Sequence, residues 1–424
     1  RRGGNAYGGD REEYERFVWG EVSKYMDKIR FDDFVKLNRG FDLPDSQIVS
    51  GKYPVVASTN IKAYHNEYKV IGPMVITGRS GSLGKVQYIE SDGWPLNTSL
   101  YVKDYKGNFP RYVYYYLQTM HLEQFNAGAG VPTLNQNHLH SLKILIHKKD
   151  EQHKVASILF AYDSLIENNT KRIRLLEQMA ENLYKEWFVR FRFPGYEKTE
   201  FVESKLGRLP ATFQVTNMSS VFEYYIGGGW GNDDYSEDYP IEASVIRGAD
   251  FPSVWRYDLS SCPNRYHKIS NYKTRQLKDG DIIMEISGGT SEQPVGRSVL
   301  VTQDMIDRFK EGRVICASFC KLIRLKRTDI SPYFFYYWMR YLYDTRIIDR
   351  FQLQSTGIIN FKFEAFLRKG LVLLPSMDIM NKFESKIIPI IKGINKLAMQ
   401  NENLTRQRDA LLPRLMSGKL EVKA

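Results

Sequence analysis

The sequence predicts an α+β chain in which two similar mixed α/β globules are separated by two long antiparallel helices forming a coiled coil with a pseudo-twofold axis. Three observations carry this: a heptad seam that occurs twice, a set of short motifs repeated in the same order ahead of each seam, and a Pro–Gly pair between the copies. The first seam is Val155, Leu159, Tyr162, Ile166, Asn169, Ile173, Leu176, Ala180, Leu183 and Trp187. Steps of four and three place these residues along one stripe of a helix. Phe383, Ile387, Ile390, Ile394, Leu397, Asn401, Leu404, Arg408, Leu411 and Leu415 repeat the pattern. A narrow apolar stripe does not stabilise a lone helix, so each seam is expected to bury the other.

The repeated motifs define the globules. Leu37 to Phe41 opens the first copy where Tyr225 to Trp230 opens the second. Gly72 to Gly81 answers Gly280 to Gly289, each an apolar strand-like run entering a glycine turn, and both return into strands at Lys85–Ile89 and Arg297–Val301. Pro110 and Pro332 each precede an aromatic run, over 112–116 and 333–338, where proline suits the first turn of a helix. Gly130–Asn135 then matches Gly357–Phe361 before the seam begins. Pro194-Gly195 ends the first long helix, because proline disfavours helical geometry in the residue before it and has no donor. Ahead of the first copy, Arg1–Gly9 is Gly-rich without an initiator Met and reads as a truncation or an added segment. Residues 11–30 carry Tyr14, Phe17, Val18, Val22 and Tyr25 at roughly helical spacing and are expected to form one helix.

If the chain runs out along one helix and returns along the other, the stripe centres bring Asn169 opposite Asn401 and Tyr162 opposite Arg408. An amide facing an amide costs stability but fixes register, and a guanidinium stacked on a ring is tolerated near a rod end. The competing arrangement is a parallel pairing with another chain. The rod from Val155 to Trp187 is about 50 Å long at 1.5 Å per residue. Two similar globules held at a fixed spacing match the symmetry of duplex DNA, with half-site centres about 10 to 15 base pairs apart. Diverged copies would read different bases, so an asymmetric two-part target is expected.

Composition agrees with an anionic partner without proving one: the formal charge is +11. The three cysteines, Cys262, Cys316 and Cys320, cannot make a disulfide framework, and no apolar run approaches the roughly 20 residues of a membrane span. An intracellular, cytoplasmic protein is expected.

Leu43-Pro44-Asp45-Ser46, Tyr53-Pro54-Val55-Val56, Ile76 to Lys85 and Val131-Pro132-Thr133-Leu134-Asn135-Gln136 together resemble the specificity subunit of Type I restriction-modification systems. Leu183 to Val189, Asn360-Phe361-Lys362-Phe363 and Leu411 to Gly418 extend the resemblance to both helices. It covers residues from about 31 onward. The resemblance implies target-recognition domains, over 31–150 and 194–377, and long helices, over 151–193 and 378–424, whereas residues 1–30 lack a clear family start and form an N-terminal extension of unclear role. It also implies double-stranded DNA, two modification subunits and restriction subunits as partners. No cofactor is expected in this chain, with S-adenosylmethionine in the modification subunit and ATP and Mg in the restriction subunit.

The turn after Ile76 does not fit a nucleotide phosphate loop, because Val86 stands where a Ser or Thr would hold magnesium. It suits a DNA groove better: glycines allow close approach, and Arg can grip guanine or phosphate. Thr77, Arg79, Ser80, Ser82 and Lys85 are the DNA-contact candidates there, against the reading of an ordinary exposed turn. In the second copy the candidates are Lys273, Arg275, Thr290, Ser291 and Arg297, on a turn that is longer and less basic. The aromatic runs could be stacking platforms, but their position after a helix-starting proline favours core packing. Cys316 and Cys320 with His267 lack a fourth zinc ligand, and His138 and His140 read as domain surface. No catalytic motif stands out, and Glu384-Ser385-Lys386 lies within the seam helix. A non-catalytic recognition subunit is therefore expected. The alternative is a stand-alone DNA methyltransferase or endonuclease with unrecognised catalytic residues.

Overall fold

A computed structural model describes residues 25–422 except 129, 205–206, 291–292 and 356–357. The chain divides into two compact units, one comprising the residues through Ile166 together with those from Asn403 onward, the other Glu167–Glu402. Each long helix, Lys149–Tyr184 and Met377–Met416, therefore contributes to both units.

The first unit is built on a four-stranded antiparallel sheet ordered Lys36–Arg39, Ser99–Asp104, Met74–Gly78, Val86–Ile89. Met74–Gly78 is buried at every residue, as an unbroken apolar run should be when both faces are covered. A second sheet joins Ser50–Val56 antiparallel to Ile61–His65 and parallel to Trp94–Pro95. Met26–Arg30 pairs antiparallel with Lys143–His147. The helix expected over 11–30 is thus corrected at its end: residues 26–30 form a strand, because Met26 packs into the unit while neighbouring positions face out. Residues 1–24 lie outside the described residues.

The second unit repeats these three sheets and adds an antiparallel hairpin of Phe201–Ser204 with Gly207–Pro210. Its four-stranded sheet is ordered Phe222–Gly227, Cys320–Leu325, Ile282–Glu285, Ser298–Leu300. Ile241–Ile246 pairs antiparallel with Asn264–His267 and parallel with Val314–Cys316, and Gln214–Asn217 pairs antiparallel with Leu371–Leu374. The last pair answers Met26–Arg30 with Lys143–His147, so each copy of the duplication begins with a strand that closes against its last one. One feature has grown: Ser287–Gly289, expected as a turn, is a short strand paired with Ile358–Phe361, which in turn pairs with Gln352–Ser355. Gly357, matched to Gly130 by sequence, lies outside the described residues.

The aromatic helices Pro110–Thr119 and Pro332–Asp344 are core elements. Tyr112, Tyr115 and Tyr116 are buried in the first unit, and Phe334, Phe335, Tyr336 and Tyr337 in the second. Proline opens both helices, and the Ser331 hydroxyl caps the second by accepting from Phe334 N.

In each unit the long-helix segments pack through the predicted stripe, and no seam position is exposed. Val155, Leu159 and Leu415 join the core of the first unit, and Ile173, Ala180, Phe383, Ile387 and Ile394 that of the second. Within the second unit the pairing is antiparallel, since Asn169 meets Gln400, Leu176 lies against Gly393 and Tyr184 packs on Phe383, and in the first unit Asp163 meets Arg408. Two predicted contacts are corrected. Asn169 Nδ2 donates to Gln400 Oε1 at 3.4 Å and Asn401 Nδ2 donates to Thr170 Oγ1 at 3.3 Å, so each amide bonds one residue away from the other. Arg408 sends its guanidinium to Asp163 at 2.6 Å rather than onto the Tyr162 ring, because an anion beside a half-buried cation binds it more strongly than a ring face. Asp163 also accepts from the Tyr115 hydroxyl at 2.5 Å, which ties the seam to the aromatic helix.

Candidate nucleic-acid interface

In the first unit the buried strand Met74–Gly78 leaves the sheet into the turn 79–85. Glycine is required at Gly78, where a Cβ would collide with the Ser82 carbonyl, and Gly81 and Gly84 adopt φ of +84° and +89°. The backbone of the turn is anchored on both sides. Arg79 N and Ser80 N donate to Thr98 O at 2.8 and 3.1 Å, Gly81 N donates to Pro132 O at 2.9 Å, and Leu134 N donates to Arg79 O at 2.8 Å. The Ser58 hydroxyl bridges beneath it to the carbonyls of Ser80 and Thr98. On this frame Ser82 and Lys85 are exposed, while Arg79 and Ser80 are half-buried. Arg79 Nη1 lies 3.5 Å from Asn97 O, Asn97 Nδ2 donates to Asp42, and Arg39 stands 3.7 Å from Asp42. The result is a stiff turn with a polar, partly cationic rim.

Thr77 is corrected. It is fully buried within the strand and its hydroxyl has no partner among the described residues, so it supports the turn and does not reach outward.

The second unit keeps the frame and changes what it carries. Ile286 N donates to Phe319 O at 2.8 Å and Phe361 N donates to Ile286 O at 2.8 Å, the same two bonds that hold Arg79. Strand register places Glu285 where the first copy has Gly78 and Arg297 where it has Lys85. Arg297 is corrected: it is buried, with Nε and Nη2 donating to the Glu285 carboxylate at 2.8 and 2.6 Å and Nη2 to Gly248 O at 2.8 Å. Burial alone would lower its pKa, and the Glu285 carboxylate reverses that so the guanidinium is held charged above its ordinary value. Its charge is spent internally.

The other candidates differ in availability. Lys273 is exposed on the helix Ile269–Arg275. Arg275 is half-buried, its Nε donating to the carbonyls of Gly227 at 2.9 Å and Gly228 at 3.4 Å. Thr290 is exposed, with its hydroxyl accepting from Gln293 N at 3.1 Å. Ser291 lies outside the described residues.

His140, expected at the surface, is buried and accepts from Leu37 N at 3.1 Å, while His138 is exposed. Cys316 and Cys320 are buried in paired strands, and burial pushes the Cys316 thiol up to about 12. Phe319, in the turn before Cys320, was not among the sequence candidates. Only strand register, which sets it at the place of Thr98, brings it to the rim.

Residues 24–178 match the family model described as the Type I restriction modification DNA specificity domain. The chain is 25% identical over 372 residues to the Type I restriction enzyme MjaIX specificity subunit of Methanocaldococcus jannaschii, covering 83% of this chain and 78% of that one. It is 20% identical over 461 residues to the HindI specificity subunit of Haemophilus influenzae, covering 96% and 100%. Residues 24–178 thus resemble the DNA specificity domain of this family, and most of the chain is similar to Type I specificity subunits. Its fold agrees with the crystal structure of the Type I system S subunit from M. genitalium, at a TM-score of 0.57 with 14% identity, covering 94% of this chain and 97% of that one. The matched model covers the N-terminal part of the first unit and the start of the second, and the rest of the second unit repeats the strand pairings of the first. Among the described residues no helix is long and apolar enough to cross a membrane.

Proposed function

We propose that this chain acts as a specificity subunit that reads a two-part asymmetric DNA target, one part per globule, and docks modification and restriction subunits that carry out the chemistry. The observation that carries the reading is the pair of glycine turns: one backbone frame, built twice in a single chain, with different side chains on its rim. A shared frame presents a turn to a groove in the same pose, and different rims then select different bases. Phosphate contacts from exposed cations such as Lys85 and Lys273 would add sequence-independent affinity.

The chain itself performs no methyl transfer or cleavage in this reading. S-adenosylmethionine would be bound by the modification subunit, and ATP with Mg by the restriction subunit. Footprinting of the complex with its modification subunits tests the proposal. Two protected blocks separated by an unprotected gap are expected, and one continuous block would count against it. Incubating the purified chain alone with S-adenosylmethionine and target DNA tests the enzyme alternative, since methyl transfer without a partner would overturn the non-catalytic assignment.

A further inference from the structure

We infer that the second globule reads its part of the target through an apolar contact, with Phe319 packed against a base step, where the first globule uses charged and hydrogen-bonding groups. The inference rests on the DNA reading proposed above and names the residue that does it in the second copy.

Register between the copies makes the comparison position by position. Gly40 N donates to Ser99 O as Gly228 N donates to Cys320 O, and Phe41 N donates to Pro95 O as Gly229 N donates to Cys316 O. Asp42 therefore corresponds to Trp230, Asn97 to Ser318 and Thr98 to Phe319. With Arg79 answered by Ile286 and Arg39 by Gly227, the polar rim of the first turn becomes an apolar one in the second. Phe319 is 64% exposed, and among the described residues no other phenylalanine is as exposed. A lone exposed ring is ordinary on a protein surface; what singles out Phe319 is that it sits at the place of Thr98 on the rim of the turn.

The surroundings favour DNA as that partner. Arg275, half-buried, is fastened to the Gly227 and Gly228 carbonyls beside this turn, and Lys321, two residues after Phe319, is half-buried with its ammonium over the Tyr225 and Phe363 rings, so both add positive charge from fixed positions. An apolar side chain with fixed positive charge nearby is suited to a base step between two phosphate backbones, since the ring can displace base–base stacking while the positive potential attracts phosphate. The turn is also stiff. Cys320 N donates to Ala317 O at 2.8 Å and Phe319 O accepts from Ile286 N, so the ring projects from a backbone fixed on both sides.

The test uses the complex with its modification subunits and a duplex carrying the motif that methylome sequencing of a host assigns to it. Binding is measured over a range of salt for wild type, Phe319→Ala, Phe319→Leu and Arg79→Ala, on the motif and on every single base-pair change of it. Phe319→Ala is expected to bind on the order of ten-fold more weakly with an unchanged salt slope, because no counterion-releasing charge is lost. Its relaxed preference should be confined to one end of the motif, opposite to the end affected by Arg79→Ala, and Phe319→Leu should regain part of the affinity. Unchanged affinity and preference for Phe319→Ala would overturn the inference. So would loss of the modification subunits from the variant with DNA contacts intact, which would make the ring a protein-docking residue. Failure of the wild-type complex to distinguish its motif from a scrambled duplex would instead overturn the DNA reading itself.

Discussion

The two glycine turns solve one structural problem in opposite ways. Beneath the first turn the space between strands is filled by the Ser58 side chain, with glycine at 78 and Lys85 left exposed. Beneath the second, glycine stands at 248, the Glu285 side chain fills the space, and Arg297 turns inward to meet it. A Cβ at Gly248 would collide with Glu285, and one at Gly78 would crowd Ser58, so each glycine is the counterpart of the other copy's side chain. What differs is therefore a coupled set of three positions, and it determines whether a cation remains available at the rim.

The largest expected effect breaks this set. Glu285→Ala leaves the Arg297 guanidinium buried without its anion and should destabilise the second unit by about 3–5 kcal/mol. Urea unfolding measures it. A paired Glu285→Met, Arg297→Met variant should recover most of the loss, because removing both charges also removes the desolvation cost. A single-variant loss below about 1 kcal/mol would mean that the pair is incidental to the fold. Lys85→Ala, at the matching place in the first unit, should leave stability within about 0.5 kcal/mol of wild type.

A smaller effect is expected at the rim of the first turn. Arg79→Ala should cost about 1–3 kcal/mol of specific binding and flatten preference at one base pair, if the guanidinium reads a base. Lys85→Ala should weaken binding to all sequences alike and reduce the salt slope by about one. Competition binding on the motif and its single-base variants separates the two behaviours. Uniform weakening by Arg79→Ala would reassign it to phosphate.

The same pair of turns shows what could be read in the sequence. Helix stripes, the order of the repeated strands and the aromatic core helices depend on periodicity and on proline, which are local signals. Arg79, Ser82 and Lys85 were legible as a rim because glycines mark the turn around them. Thr77 and Arg297 were not legible as interior residues: polar side chains next to a glycine turn look the same from sequence whether they face in or out. Burial of Arg297 depends on Glu285 and Gly248, which lie far apart in the chain. His140, expected at the surface, is interior for a similar reason, since its acceptor role depends on Leu37. Phe319 was hidden because it aligns with Thr98, and nothing in the two residues suggests a common place.

Acidity should separate the units more gently. In the first unit His140 accepts from Leu37 N, and His147 Nδ1 accepts from the Tyr112 hydroxyl, whose oxygen in turn accepts from His147 N. Desolvation is the main cause that holds both histidines below their ordinary value, with Lys36 adding to it at His140 and Glu151 opposing it at His147. Folded-state pKa values below the unfolded value of about 6.5 mean that the unfolded chain binds more protons as pH falls. The stability these groups contribute is present above about pH 6.5 and is lost below it. The second unit has His267, lowered by desolvation and by Arg265. Amide exchange between pH 7.5 and 5.5 should show protection falling at Leu37 and His147 as well as near His267. His140→Gln, which keeps an acceptor without titrating, should flatten the fall at Leu37. An unchanged pH profile in that variant would remove His140 from the account.

The smallest effect concerns the seam in the second unit, where the amides differ in how well they are satisfied. Both Nδ2 groups make one long bond, Asn169 to Gln400 at 3.4 Å and Asn401 to Thr170 at 3.3 Å, but only at Asn401 is the Oδ1 buried without a partner among the described residues. An unsatisfied buried acceptor costs about 1–3 kcal/mol, and a long neutral hydrogen bond returns less than about 1 kcal/mol. Asn401→Leu should therefore stabilise the chain by up to about 1 kcal/mol in urea unfolding. Asn169→Leu should give no such gain, because it removes no unsatisfied buried acceptor. If the amides hold the register, the gain at Asn401 comes with a cost: slipped pairings become closer in energy, and the unfolding transition should broaden, with a lower denaturant slope. A sharp transition with the same gain would show that the apolar stripe alone fixes the pairing.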